Sequence, residues 1–128
     1  MIERILLLRP PTAVAEPYIG FNLQRGLMFR RVLIANRGEI ALRILRSLRT
    51  LGIETVMIHG REDRLTTPVR LADEAIHIAR DDPLASYLDI EAIVAAAKEV
   101  GADAVHPGYG FLAENPIFAE RLAEEGIT

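Results

Sequence analysis

The sequence predicts an α/β fold, a Rossmann-like parallel sheet with helices on both faces. Three observations support this prediction. Short uncharged runs alternate along the chain with longer segments in which apolar residues recur at helical spacing. Gly52 and Gly101 each separate a helical segment from the next apolar run, as helix-ending glycines do. Of the 128 residues, 50% are hydrophobic and 26% are charged, the balance of a globular domain with one core.

The first strand–helix–strand unit begins after residue 28. Residues 31–35 form a short apolar run typical of a buried parallel strand, and a tight turn at 36–38 follows it. Residues 39–51 place their apolar side chains on one helical face. Residues 53–59 form the next strand, which should run parallel to the first through a right-handed crossover.

The second half of the chain continues this alternation after a polar loop at 60–67 that precedes Pro68. The further predicted elements are a strand at 75–79, a helix at 90–100 capped by Asp89, a strand at 103–106, and a helix at 116–125 opened by Asn115-Pro116.

Residues 1–28 do not follow the pattern, and no helical or strand periodicity continues past Arg9. The apolar stretch is short and follows Glu3, unlike a secretory signal, and the segment lacks the serines of a transit peptide. We expect an N-terminal extension that is disordered or lies upstream of the true start, with Met28 as a candidate initiator. The folded domain should then comprise residues 29–128.

Charge and composition exclude several classes of function. The net charge is −3 and the pI about 5.6, so no basic field favours nucleic acid. The absence of cysteine excludes disulfides, thiolate zinc sites and a cysteine nucleophile. No uncharged run approaches the length that spans a bilayer. We expect a cytoplasmic protein with no nucleic-acid or membrane partner.

Three loops leave the carboxyl ends of predicted strands, where open parallel sheets bind their ligands. They lie at 36–39, 59–61 and 106–110. We therefore expect any chemistry of this chain at that edge of the sheet.

The residues of these loops leave alternatives open. Gly38 at a helix start could expose N–H groups to an anion, or simply allow the tight turn. Arg37 could bind a phosphate or carboxylate ligand, or a buried acid of the same domain. Tyr109, between two glycines, could cover a ligand from a rigid loop or pack into the core.

The remaining candidate groups favour structural roles. His59, His77 and His106 lack an acidic or histidine partner at metal-ligand spacing, so we expect no metal site. No carboxylate pair or Ser/His/Asp set suggests acid–base or nucleophilic catalysis.

Four sequence strings point to a known family: VLIANRGEIA at 32–41, VRLADEA at 69–75, SYL at 86–88 and HPGYGFLAEN at 106–115. With them, residues 29–128 resemble the start of the biotin carboxylase domain of acetyl-CoA, propionyl-CoA and pyruvate carboxylases.

The resemblance implies a pre-ATP-grasp domain of an ATP-dependent ligase. The family carboxylates the biotin ureido nitrogen with bicarbonate, through carboxyphosphate, and cleaves ATP with Mg²⁺. Its ATP lysines, metal-binding glutamates and catalytic arginine belong to later segments. We therefore expect no catalytic residue here, no activity of this segment alone, and no tight binding of biotin, ATP or Mg²⁺ to it.

The resemblance also assigns roles residue by residue. Tyr109 and Gly110 match the loop that lines the biotin and bicarbonate side of the site. Arg46 matches a homodimer contact, although Thr50 stands where a glutamate is common. The signature turn, which we interpret as mainly architectural, comprises Asn36, Arg37, Gly38 and Glu39. The loop after the second strand departs from the family pattern at 59–61, as does Pro68.

The implied partners are the ATP-grasp remainder of the subunit, the biotin carboxyl carrier protein, the carboxyltransferase and a second copy in a homodimer. Two other functions stay open. One is another ATP-grasp ligase, against which the string at 106–115 argues. The other is a stand-alone module that binds carboxylase subunits.

Overall fold

The computed structural model describes residues 2–6 and 29–128. The strands are β1 (Ile2–Leu6), β2 (Arg31–Ile34), β3 (Glu54–His59), β4 (Glu74–Ile78) and β5 (Ala104–His106). The helices are α1 (Gly38–Thr50), α2 (Thr67–Leu71), α3 (Ile90–Glu99) and α4 (Pro116–Glu124). The strands form one sheet in the order β1-β4-β3-β2-β5. β2 to β5 are mutually parallel and β1 is antiparallel to β4, so the predicted α/β class is confirmed.

Helices cover both faces of the sheet because successive strand residues point to opposite sides. On β2, Leu33 packs into a core formed with α3 and α4. Its neighbours Val32 and Ile34 pack into a second core formed with α1 and α2. Continuous apolar strands are the pattern that such double coverage requires.

The predicted helix caps are present. The side chain of Asp89 accepts a hydrogen bond from the N–H of Ala92 at 2.9 Å. Asn115 does the same for Phe118 at 3.2 Å, with Pro116 at the first position of α4. These bonds satisfy N–H groups that lack partners inside the helix.

One short helix is missing from the sequence prediction. α2 follows the predicted polar loop and holds Pro68 in its first turn, where proline fits a helix. Pro68 and Val69 are buried, and Val69 packs into the core that α1 also covers. The single helical turn is too short to show apolar periodicity, so only its packing identifies it.

The structure gives residues 2–6 of the N-terminal extension as a strand, which the sequence analysis did not predict. They form β1, whose register runs from Ile2 opposite Ile78 to Leu6 opposite Glu74. The strand owes its place to backbone pairing with residues far along the chain, which local periodicity does not reveal. Residue 1 and residues 7–28, Met28 included, lie outside the described residues, so their nature stays a prediction.

No helix in the two described ranges is long and apolar enough to cross a membrane.

Candidate functional site

The three predicted loops meet at the carboxyl ends of the parallel strands. The turn after β2 is bonded on one side to the loop after β5 and on the other to the loop after β3. These links run through Asn36 and Arg37, two residues of the predicted signature turn. The turn therefore fixes the positions of the loops on both sides of it.

Asn36 holds the loop after β5. Its Nδ2 group donates to the carbonyl oxygens of Pro107 and Tyr109 at 2.7 and 2.8 Å. Its Oδ1 accepts the N–H of Arg37 at 2.8 Å. The side chain is 2% exposed, so these bonds replace water that the amide has lost.

Gly108 allows this close approach. Its φ is +65°, in the left-handed region that side chains rarely adopt. A Cβ there would lie 3.0 Å from Nδ2 of Asn36 and 3.1 Å from Cγ1 of Ile40. Glycine at 108 therefore serves both the positive φ and the close approach of Asn36.

Tyr109 projects from the loop and is 68% exposed, so the alternative of a core tyrosine is wrong. Its backbone is held by Asn36, while Gly110 beyond it also has a positive φ, +71°. The next residue, Phe111, stacks on Tyr87 with ring centroids 5.3 Å apart. The ring of Tyr109 is thus carried outward by a loop that is fixed on both sides.

Arg37 pairs with a buried acid of the same domain. Its Nε and Nη2 groups donate to Oδ2 and Oδ1 of Asp63 at 2.6 and 2.7 Å. This two-bond geometry is the one that a guanidinium and a carboxylate form most strongly. Arg37 is therefore committed to the fold, which decides between the two roles that the sequence left open.

Tyr87 completes the network below this pair. Its hydroxyl donates to Oδ2 of Asp63 at 2.5 Å and accepts the N–H of Gly60 at 3.3 Å. Tyr87 is fully buried and Asp63 is 6% exposed. The loops after β2, β3 and β4 are joined in this way through one carboxylate.

The electrostatics of the network favour a fixed charge state. The hydrogen bonds from Arg37 lower the pKa of Asp63, against the opposing effect of burial. Burial, with the bond to Asp63, raises the pKa of Tyr87. Near neutral pH, Asp63 stays ionised and Tyr87 stays a neutral donor. In these charge states the hydrogen bonds of the network hold the three loops together.

Comparison with known proteins identifies the family. Residues 28–128 match the family described as the N-terminal domain of biotin carboxylase. The chain belongs to this family. It is 56% identical over 101 residues to a biotin carboxylase of Haemophilus influenzae, a match that covers 79% of this chain and 22% of that protein.

Two further relatives extend the comparison. The alpha chain of propionyl-CoA carboxylase from Ruegeria pomeroyi is 50% identical over 100 residues, covering 78% of this chain and 15% of the relative. A crystal structure of the biotin carboxylase domain dimer of Hydrogenobacter thermophilus 2-oxoglutarate carboxylase, with MgADP, ADP and bicarbonate, superposes with a TM-score of 0.76. It is 52% identical and covers 79% of this chain and 22% of that one. The chain thus spans 15–22% of the length of these relatives.

The start of α1 in this biotin carboxylase N-terminal domain is shaped by Gly38. Its φ is +62°, and a Cβ there would meet no atom within 4 Å. The positive φ accounts for glycine at this turn, because side chains rarely adopt it. Glu39, which follows it in the signature turn, is exposed.

The histidines make structural contacts in the domain. His59 is fully buried, with Nδ1 2.9 Å from the carbonyl oxygen of Gly60. It stacks on His77 at a centroid distance of 5.2 Å. His106 accepts the N–H of Gly108 through Nδ1 at 3.0 Å. Burial lowers the pKa of His59, which keeps its ring neutral.

The predicted dimer contact lies on the outer side of α1. Arg46 is exposed, and the hydroxyl of Thr50 donates to the Arg46 carbonyl oxygen at 3.0 Å. Thr50 thus engages its own helix, where the family commonly carries a glutamate. The dimer role of Arg46 stays a prediction.

Two residues of the site were not identified from the sequence. Asp63 stands among polar loop residues, and Tyr87 belongs to a matched string to which no role was assigned. The available signal was Arg37 itself, because a buried-acid partner had to come from one of the neighbouring loops. Spacing along the chain does not say which acid is buried.

Proposed function

We propose that this chain is the N-terminal segment of a biotin carboxylase, which carboxylates biotin on a carrier protein with ATP and bicarbonate. This reaction would be the first half-reaction of an acyl-CoA or pyruvate carboxylase. The observation that carries the proposal is the family match, together with the retained HPGYGFLAEN loop that Asn36 holds at the site edge. The bicarbonate in the Hydrogenobacter relative supports the substrate.

In this proposal the chain positions one side of the site. Tyr109 and Gly110 would face biotin and bicarbonate from a loop fixed by Asn36. Arg37 and Asp63 would hold the same turn from the other side. We propose that Arg37 and Asp63 position the loop and do not act as acid or base, because their mutual hydrogen bonds favour the charged form of both.

We propose that ATP and Mg²⁺ are bound outside the described residues. Within residues 2–6 and 29–128, no three His, Cys, Asp or Glu side chains lie together to hold a metal ion. The turn at 36–38 has one glycine and lacks both the three-glycine and the Walker lysine motif. We propose that the ATP-grasp remainder of a cytoplasmic, homodimeric enzyme binds ATP and Mg²⁺.

Exposed apolar side chains support a covered site edge. Tyr109, Leu65, Leu84 and Leu88 are 68%, 79%, 43% and 52% exposed. All four lie on loops that follow the carboxyl ends of β3, β4 and β5. Exposed apolar side chains on loops at the site edge are consistent with a contact surface there. We propose that the ATP-grasp remainder packs there.

A chimeric enzyme tests the proposal. Residues 28–128 replace the 101 matched residues of the Haemophilus influenzae biotin carboxylase, and ADP release is measured with and without biotin and bicarbonate. We expect biotin- and bicarbonate-dependent activity within about tenfold of the parent, a loss below ~1.4 kcal/mol in barrier height. A chimera that folds and dimerises but has no biotin-dependent activity would contradict the proposal.

The mass of the native protein separates the enzyme from a stand-alone interaction module. An antibody against residues 29–128 is used on an extract of the source cells. A band of ~50 kDa or more, the size of several domains, supports the carboxylase. A single species near 14.2 kDa would instead favour a module that binds carboxylase subunits.

A further inference from the structure

The loop after β5 contains a strained residue close to Tyr109. Among the residues that the structure describes, Phe111 is the one residue other than glycine with a positive φ, +44°. Bulky side chains rarely adopt this region, because the Cβ crowds the backbone there. Such strain persists only where the surrounding structure compensates for it, and it concentrates at functional sites. Contacts of Phe111 must therefore hold it in this conformation.

Phe111 occupies a turn position that usually carries a different kind of residue. The N–H of Ala113 donates to the carbonyl oxygen of Gly110 at 2.9 Å, which makes Phe111 the first central residue of the turn. Where φ is positive at this position, turns generally carry glycine, asparagine or aspartate. Because one of these residues would suit the backbone better, we attribute the phenylalanine to its side chain.

The ring of Phe111 is held by Tyr87. The two rings stack with centroids 5.3 Å apart and planes inclined by 28°, an offset arrangement that aromatic pairs favour. Tyr87 is fully buried, and its hydroxyl is bonded to Asp63 and to the N–H of Gly60. The ring of Tyr87 is therefore a fixed platform, and stacking on it offsets the backbone strain at Phe111.

Phe111 also secures the backbone beyond Tyr109. Asn36 holds the carbonyl oxygen of Tyr109, but Gly110 has no side chain, and even a Cβ there would meet nothing within 4 Å. Without the ring of Phe111, the next anchored side chain would be that of Leu112, which is 5% exposed in the core. The exposed ring of Tyr109 would then stand on a backbone that could turn.

We propose that Phe111 is a positioning residue for Tyr109, and that its stacking on Tyr87 holds a strained backbone which directs the ring of Tyr109 toward the biotin side of the site. The part that concerns biotin rests on the proposed function, whereas the link between Phe111 and Tyr109 does not. Tyr87 contacts Asp63 and Phe111 at once. The same link therefore connects the Arg37–Asp63 pair to Tyr109.

The first test measures motion at position 109 in the full chain. The protein has no tryptophan, so Tyr109→Trp introduces a single indole whose fluorescence anisotropy decay reports nanosecond motion. In this background Phe111→Leu removes the stacked ring, and Phe118→Leu makes the same change at a core ring that is 2% exposed. We expect the amplitude of the fast decay to rise at least about twofold in Phe111→Leu and to stay unchanged in Phe118→Leu.

Two further variants complete this test, with circular dichroism to confirm that each protein is folded. Phe111→Tyr keeps an aromatic ring and should retain the amplitude of the parent. Phe111→Asn lacks the ring but tolerates the positive φ, and it takes the place of the leucine variant if that one does not fold. Unchanged motion when the ring is absent, an equal rise in Phe118→Leu, or a rise in Phe111→Tyr would overturn the proposal.

The second test uses the chimeric biotin carboxylase that carries residues 28–128. If Phe111 positions Tyr109, Phe111→Leu should raise KM for biotin at least about fivefold and leave kcat within about twofold of the parent chimera. A merely structural role would reduce the amount of active enzyme, which lowers the apparent kcat without changing KM. Phe118→Leu should leave KM for biotin unchanged, and Phe111→Tyr should restore it.

The outcomes distinguish this proposal from the proposed function. A lower kcat at unchanged KM in Phe111→Leu, or an equal rise of KM in Phe118→Leu, would overturn the positioning role. If the parent chimera has no biotin-dependent activity, the proposed function fails, and with it the part of this proposal that concerns biotin. The anisotropy measurement still decides whether Phe111 holds Tyr109.

Discussion

Asn36 and Tyr109 lie on loops from different strands, and the side-chain amide of the first holds the backbone carbonyl of the second at 2.8 Å. The same nitrogen also donates to Pro107 at 2.7 Å. A single buried side chain therefore sets where the exposed ring of Tyr109 stands. This relationship gives the signature turn a mechanical role in the site.

Replacing Asn36 by Asp tests that role. A carboxylate would turn an oxygen toward two carbonyl oxygens and leave both of them without a donor. We expect a loss of about 2–4 kcal/mol in the free energy of unfolding, measured by urea denaturation followed by circular dichroism. Glu39→Gln, an exposed change in the same turn, is the control. Equal stability of the two variants would show that the Asn36 side chain does not hold this loop.

Alanine substitutions at Gly108 and Gly110 distinguish steric crowding of the new Cβ from strain in the backbone. Gly108 and Gly110 have φ of +65° and +71°, so either alanine should cost ~1–2 kcal/mol in strain. A Cβ at Gly108 also meets Asn36 and Ile40 at 3.0 and 3.1 Å, whereas at Gly110 it meets nothing within 4 Å. We expect Gly108→Ala to be the more destabilising in a matched thermal melt. The reverse order would show that the contact with Asn36 is not tight.

Arg37→Met should change how stability depends on acid pH. The folded pKa of Asp63 is lowered, chiefly by Arg37, so the unfolded chain binds more protons. The Arg37–Asp63 pair therefore stabilises the folded protein at pH values above the pKa of Asp63 in the unfolded chain, about 3.9. This stabilisation is lost as the pH falls through the pKa of Asp63 in the folded protein. The variant should lose ~1–3 kcal/mol near neutral pH, since Arg37 itself is partly exposed.

Urea denaturation between pH 2 and 6 gives the measurement for Arg37. In the variant, the fall in stability with acid should be weaker than in the parent. Arg37→Lys keeps the charge and lacks the two-bond geometry, so it should give intermediate stability. An unchanged pH profile in Arg37→Met would mean that Asp63 does not depend on Arg37.

Tyrosine-to-phenylalanine substitutions at positions 87 and 109 measure how much the buried hydroxyl of Tyr87 contributes to stability. Tyr87→Phe removes a donor to Asp63 and an acceptor for the N–H of Gly60. We expect it to lower the free energy of unfolding by ~1–3 kcal/mol. Tyr109→Phe, at a ring that is 68% exposed, should stay within about 0.5 kcal/mol of the parent. Similar losses of stability in the two variants would contradict a stabilising role for the hydrogen bonds of the Tyr87 hydroxyl.

His59 should make the fold sensitive to mild acid. Burial lowers its folded pKa, so the unfolded chain takes up a proton first as pH falls below about 6.5. Its contribution is present above that pH and decreases from there down to the folded pKa. Histidine NMR titration should give a pKa below that of a free imidazole. His59→Asn, which does not titrate, should weaken the decline in stability between pH 7 and 5.

Local patterns in the sequence were enough to predict most of the elements and the edge at which the loops meet. The strand at 31–35 and the helix at 39–51 can each be recognised from residues that are close together in the sequence. The HPGYGFLAEN string likewise indicated the family by its residues alone. The two glycines beside Tyr109 suggested a rigid loop at this edge as one of two alternatives.

The tertiary structure alone decided the long-range partners. The sequence offered Arg37 either a ligand or a buried acid, and only the packing of three loops brings Asp63 and Tyr87 to it. Whether Tyr109 was buried or exposed depended on where Asn36 holds its backbone. β1 was missed for the same reason, because a strand at a sheet edge is defined by the residues it pairs with, and these lie some seventy positions away.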